Sequence, residues 1–136
     1  MDDLIPCTRR IDRWAWLDLV SGRDYTGALR ELDDVLTSER GVGLVAGLVE
    51  QHLLVGLAME GGVGRVKKML AETGRGYLSW KANLYGKQAG SWRVEEMDRT
   101  LRHLHRADRL LKSGGRDRPV FEELLLTLEG ERRERA

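Results

Sequence analysis

Apolar side chains recur along this chain at intervals of three and four residues, and no stretch of four or more residues alternates convincingly as a strand would. The pattern predicts helices throughout. A short first helix is expected over Asp12 to Val20, with Trp14, Leu17 and the Leu19/Val20 pair on one side, stopped by Ser21-Gly22. A second runs from Asp24, an N-cap residue, to Leu36, with Ala28, Leu29, Leu32, Val35 and Leu36 in register. The third, from Val42 to Met59, is apolar on nearly all sides (Leu44, Val45, Leu48, Val49, Leu53, Val55, Leu57). Such a helix is expected at the centre, with Leu53 fully buried. Gly61-Gly62 should end it.

Val63 to Thr73 is a weaker helix anchored by Val66, Met69 and Leu70, and Tyr77 to Ala89 a short one with Leu78, Leu84 and Tyr85 facing in. The clearest helix spans Val94 to Lys112, with Val94, Met97, Leu101, Leu104, Asp108 and Leu111 on one seam. Ser113-Gly114-Gly115 stops it. Asp117 should cap a last helix that tolerates Pro119 in its first turn and buries Phe121, Leu124, Leu125 and Leu128. The expected architecture is all-α, a compact bundle of about six or seven helices. Residues 1–13 form a lead-in, 14–128 the domain, and 129–136 a frayed charged tail.

A chain of 136 residues can bury a core without disulfides or metal. The formal net charge of +1 names no partner, but its distribution is uneven. Residues 1–60 carry 6 basic and 11 acidic side chains, whereas residues 61–93 carry 7 basic and 1 acidic. Arg65, Lys67, Lys68, Arg75, Lys81 and Lys87 lie in that basic island among Tyr77, Trp80, Tyr85 and Trp92. Bases and aromatics so interleaved could neutralise phosphate and stack on nucleobases, although aromatics at helical spacing more often fill a core.

Catalytic motifs do not emerge. GGVGRVKK resembles a phosphate loop, but Val66 stands where the motif needs Gly, no Ser or Thr follows the lysines, and no strand precedes it. His103 and His105 are two apart and point to different helix faces, so with His52 they make no metal set; solvated or capping histidines are expected. Asp108 on the apolar seam is expected to pair with Lys112 or to bond a neighbouring helix terminus. No cofactor and no enzymatic activity are expected. The single Cys7 fits a reducing, cytoplasmic setting, MDDLIPCTRR has no signal-peptide character, and Glu50, Gln51 and His52 interrupt the longest apolar stretch, arguing against a membrane span.

The stretch RADRLLKSGGRDRPVFEELLLTL resembles the end of the delta subunit of the bacterial DNA polymerase III clamp loader. Ala107-Asp108, Leu110-Leu111, Lys112-Ser113-Gly114 and Leu124 to Leu126 carry the likeness. KQAGSWRVEEM and WAWLDLVSGRDYTGALREL resemble upstream segments of the same family, so the resemblance runs from about Trp14 to Leu128. It implies a collar-type helical domain, the C-terminal portion of a longer subunit whose AAA+-like domains have no counterpart in this sequence. The implied partners are other clamp-loader subunits of the delta-prime and gamma/tau type. Primed DNA and the sliding clamp would be reached only through the absent domains, with no membrane and no small-molecule substrate. Arg93 stands where the family has a small polar N-cap. The expected subunit contact is the exposed side of the last two helices, with Arg109, Lys112 and Arg116 around the turn between them. A helical nucleic-acid-binding domain using residues 61–93 is the alternative.

Overall fold

The computed structural model describes residues 11–135; Pro6 and Cys7 lie outside the described residues. The fold is all-α, with no strand among the described residues. The helices are α1 (Arg13–Ser21), α2 (Tyr25–Arg30), α3 (Leu32–Val35), α4 (Gly41–Glu72), a 3-10 segment (Gly76–Lys81), α5 (Ala82–Ala89), α6 (Val94–Lys112) and α7 (Asp117–Arg135).

Caps set the early boundaries. Asp12 accepts from Ala15 N at 2.8 Å to open α1, and Asp24 accepts from Gly27 N at 2.9 Å to open α2. Glu31 then separates α2 from α3, so the single helix expected over Asp24 to Leu36 is two short ones. On α1 the buried side carries Trp16, Leu17 and Val20, while Trp14 is largely exposed. Trp16 rather than Trp14 is the core tryptophan: its indole N–H donates to the Ala28 carbonyl at 3.0 Å, and its ring meets Phe121 edge-on at 5.8 Å.

Helix α4 organises everything else. It contacts α1, α5, α6, α7 and the 3-10 segment. Its start is closed by a residue distant in sequence: Asp117 Oδ2 accepts from Gly41 N at 2.9 Å. A Cβ at position 41 would lie 2.5 Å from that carboxylate, so any larger residue there would push the Asp117 side chain aside. Asp117 was expected to cap its own helix; it is instead the first residue of α7 and its carboxylate serves α4.

The expected break at Gly61-Gly62 is present: α4 is two helices that run together across a kink there. At Gly62 the backbone turns to φ 78 and ψ −175, a conformation open to glycine, and helix resumes beyond it. Two cores result. Leu44, Val45 and Leu48 from the front of α4 join α1, α2, α3, the later part of α6 and α7. Leu54, Val55, Ala58, Val66 and Leu70, on both sides of the kink, join Ala82, Tyr85, Trp92 and Met97.

Two other expectations change, over Tyr77 to Ala89 and at Leu53. The expected helix over Tyr77 to Ala89 starts as 3-10 and becomes α only at Ala82. Residues 129–135 are helical as the end of α7, where Glu129 bonds Arg132 and Arg133 and Glu131 reaches His103 on α6. Leu53 is not buried: it is 55% exposed, because α4 is covered on only part of its circumference. Leu48, one face away, is 2% exposed. Leu48→Ala should therefore lower stability by about 2–5 kcal/mol in denaturant melts, and Leu53→Ala by less than about 1 kcal/mol. Equal losses would contradict this division of the helix.

Candidate interaction surfaces

The basic segment does not form one surface. Arg65, Lys67, Lys68 and Lys87 are exposed. Arg75 is drawn into an ion pair with Glu50 on α4. Lys81 is 2% exposed and takes no part in a solvent-facing basic patch. Its ammonium lies 3.5 Å from Asp18 Oδ1 and 4.3 Å from the centre of the Trp14 ring, with Tyr85 and Trp80 at 5.6 and 5.8 Å. Charge and ring quadrupoles hold it in place of a hydrogen bond. Asp18 is fixed in turn by Gln51 Nε2 at 2.6 Å. Burial, with Asp18 and Glu50 adding to it, pushes the Tyr85 phenol up to about 12.

The aromatics of that segment divide likewise. Tyr77 and Trp80 are exposed, whereas Tyr85 and Trp92 are core. Trp92 is the junction between the α1–α2 turn and α6. Its indole N–H donates to the Ser21 carbonyl at 3.2 Å, His52 meets it edge-on at 5.1 Å, and the Arg23 guanidinium lies 4.3 Å over its ring. Arg23 also donates to Glu96 at 3.2 and 3.0 Å and to the Ser91 carbonyl at 2.7 Å. It does so from a left-handed φ of 68, uncommon for a residue with a side chain. Glu96 accepts from Arg93 N at 3.0 Å as well, supplying the cap that the Arg93 side chain does not.

The histidines are not all solvated. His52 is buried, with Nε2 2.9 Å from the Met97 carbonyl; that oxygen accepts, so the neutral ring carries its proton on Nε2. His103 pairs with Glu131 at 2.8 Å and His105 is exposed, on separate sides of α6 as expected. Among the described residues no group of three or more His, Cys, Asp or Glu side chains could hold a metal ion. The phosphate-loop look-alike is the kink of α4.

Around the α6–α7 turn, Arg109, Lys112 and Arg116 are exposed. Lys112 pairs with Asp108 at 3.0 Å, as the sequence suggested. The apolar seams beside them are spent internally: Leu104, Ala107, Leu111, Phe121, Leu124 and Leu125 all belong to the first core. That turn therefore offers charge with little apolar surface. Exposed apolar side chains are scattered over the surface, and two of them, Leu53 and Val94, meet between α4 and the start of α6, where with Leu57 and Leu101 they border a trough of about 410 Å3. Val94 is 65% exposed although it lies on the expected seam, because the buried face of α6 starts at Glu96 and Met97. Summed hydropathy could not have located this trough; it forms where two partly covered helices meet.

By length and composition α4 could cross a membrane, but half of its most apolar window is buried inside the protein, and a core helix passes the same test. Gln51 and His52, the polar residues that interrupt it, are buried and bonded to Asp18 and Met97. No family model, curated protein or solved structure matches this chain.

Burial lowers the His52 pKa, and the Met97 carbonyl only partly opposes that shift. The unfolded chain binds a proton near pH 6.5 that the folded one resists, so stability should fall as pH drops below about 6.5. The loss should not exceed about 1.4 kcal/mol per pH unit from this residue. Denaturant melts between pH 7.5 and 5.5 should show a flatter profile for His52→Gln, which can still donate to Met97. Identical slopes would mean that His52 titrates normally.

Proposed function

We propose that this chain is a non-catalytic assembly domain that joins other protein subunits. The observation that carries this reading is the apolar trough between α4 and α6, whose walls the fold leaves open. Apolar area of that kind on a helical domain suits a protein contact. We further propose that the assembly is a bacterial DNA polymerase III clamp loader, with this chain in the place of the delta subunit's collar domain. The C-terminal segment that resembles that family supports this: it falls on α6, α7 and the turn between them, and its aliphatic residues Ala107, Leu111, Leu124 and Leu125 pack together in one core.

The nucleic-acid reading keeps a smaller footing. Arg65, Lys67, Lys68 and Lys87 are exposed, as are Tyr77 and Trp80, but Arg75 is tied to Glu50 in a surface ion pair and Lys81, Tyr85 and Trp92 are buried. Phosphate binding weakens steeply with salt, whereas an apolar contact does not.

Co-purification with clamp-loader subunits of the delta-prime and gamma/tau type, at low and physiological salt, tests the assignment. The chain should join the complex at both salt concentrations. Failure to join would remove the clamp-loader assignment, and salt-sensitive capture of DNA would favour the alternative. Within a complex that forms, Arg109→Glu with Arg116→Glu should weaken joining about ten-fold. Helicity and melting should be unchanged, since both side chains are exposed. Unaltered affinity would move the contact away from the α6–α7 turn.

A further inference from the structure

The trough between α4 and α6 has a shape and a charge that restrict what can fill it. Leu53, Gly56, Leu57 and Glu60 border it from α4, and Val94, Asp98 and Leu101 from α6. Each set repeats every three or four residues, so the trough is a groove between two helical ridges, the geometry into which a third helix packs. Gly56 deepens its floor: a Cβ there would lie 3.3 Å from the Met97 methyl. The walls at Leu53 and Val94 are more than half exposed, so the groove is open along its length and does not enclose a small molecule.

Charge narrows the choice. The carboxylates of Glu60 and Asp98 are the ionised groups on its border, and both residues are exposed. Glu60 meets Arg65 only at 4.0 Å, and the Asp98 carboxylate has no ion-pair partner among the described residues. His52, also at the border, is buried, and burial lowers its pKa and so favours the uncharged ring. An acidic rim around an apolar floor repels a phosphate backbone or an anionic lipid surface and attracts a cationic polypeptide.

We propose that this groove docks a basic amphipathic helix of a partner protein. The helix would present aliphatic side chains at i, i+3 or i+4, and i+7 to Leu53, Leu57, Val94 and Leu101, with Lys or Arg flanking them opposite Glu60 and Asp98. The inference rests on the reading of the chain as an assembly domain and is independent of its membership in a clamp loader.

The test uses the full chain and a synthetic helical peptide of about 18 residues with leucines at that spacing and flanking lysines, followed by fluorescence anisotropy at physiological salt. Two control peptides replace the lysines by glutamates or the leucines by serines. The lysine–leucine peptide should bind one to one, and each control at least about ten-fold more weakly. Leu53→Asp with Val94→Asp should reduce binding by about ten-fold or more, with circular dichroism and melting unchanged because both positions are exposed. Asp98→Lys, which leaves the apolar walls intact, should weaken the lysine peptide and improve the glutamate one.

Binding that ignores the Leu53/Val94 and Asp98 changes would overturn the proposal. A concentration-dependent dimer abolished by Leu53→Asp would overturn it in favour of a second copy of this chain, and Leu53-dependent binding to phosphatidylglycerol vesicles in favour of a membrane. Peptide docking by a chain that does not join clamp-loader subunits would sink the clamp-loader assignment and leave this site standing. Joining without docking would do the reverse.

Discussion

The fold depends on how α4 disposes of its apolar side chains. Its 32 residues present aliphatic groups in almost every direction, more than one neighbouring layer can cover. At Gly62 the helix breaks in a kink, and residues on both sides of it, Leu54, Val55 and Ala58 before and Val66 and Leu70 after, fold into one core. The front arm closes a core with α1, α2, α3 and α7, and the residues around the bend close another with α5, Trp92 and Met97. Helix α6 reaches both. Val42, Leu53 and Met69 stay exposed on α4, and of these Leu53, with the half-buried Leu57, borders the trough against α6.

The polar interactions hold this arrangement in register. Asp117 brings the start of α7 onto the start of α4, and Arg23 with Trp92 and Glu96 brings the α1–α2 turn onto the start of α6. Both ties cross more than seventy residues of sequence. The Arg23–Glu96 pair is largely screened from water, where a bidentate guanidinium–carboxylate contact is geometrically demanding and removal of one partner is costly. Glu96 has two roles, anchoring Arg23 and accepting the backbone N–H of Arg93, the residue that precedes its own helix.

Local signals in the sequence were legible where local physics decides. The bounds of α6, the Asp24 cap and the Asp108–Lys112 pair follow from spacing and side-chain reach over three or four residues. Signals that depend on distant contacts were not. Nothing in the local sequence marks Lys81 as enclosed, because its cover comes from Trp14 and Asp18 on α1. The choice of Trp16 over Trp14 depends on where Phe121 and the Ala28 carbonyl lie. The all-apolar look of α4 suggested burial at every position, but the number of helices available to cover it is a tertiary property, and at Leu53 the cover is missing. The candidate surface was therefore hidden for a physical reason: hydropathy reports which residues avoid water and cannot report which of them are left without a neighbour.

The same accounting separates the two surfaces considered. The α6–α7 turn is rich in charge and has placed its leucines in the core, so its contribution to a contact would be electrostatic steering and register. The α4–α6 groove has both apolar walls and an acidic edge, the combination expected of an interface centre with its rim. The central claim is that the free chain keeps the walls of this groove open to water. Methyl-resolved NMR of Leu and Val side chains with a soluble gadolinium chelate measures that directly. The account predicts strong paramagnetic relaxation at Leu53 and Val94 and shielding at Leu44, Leu48 and Leu54. Shielding of Leu53 and Val94 equal to that of Leu48 would contradict it.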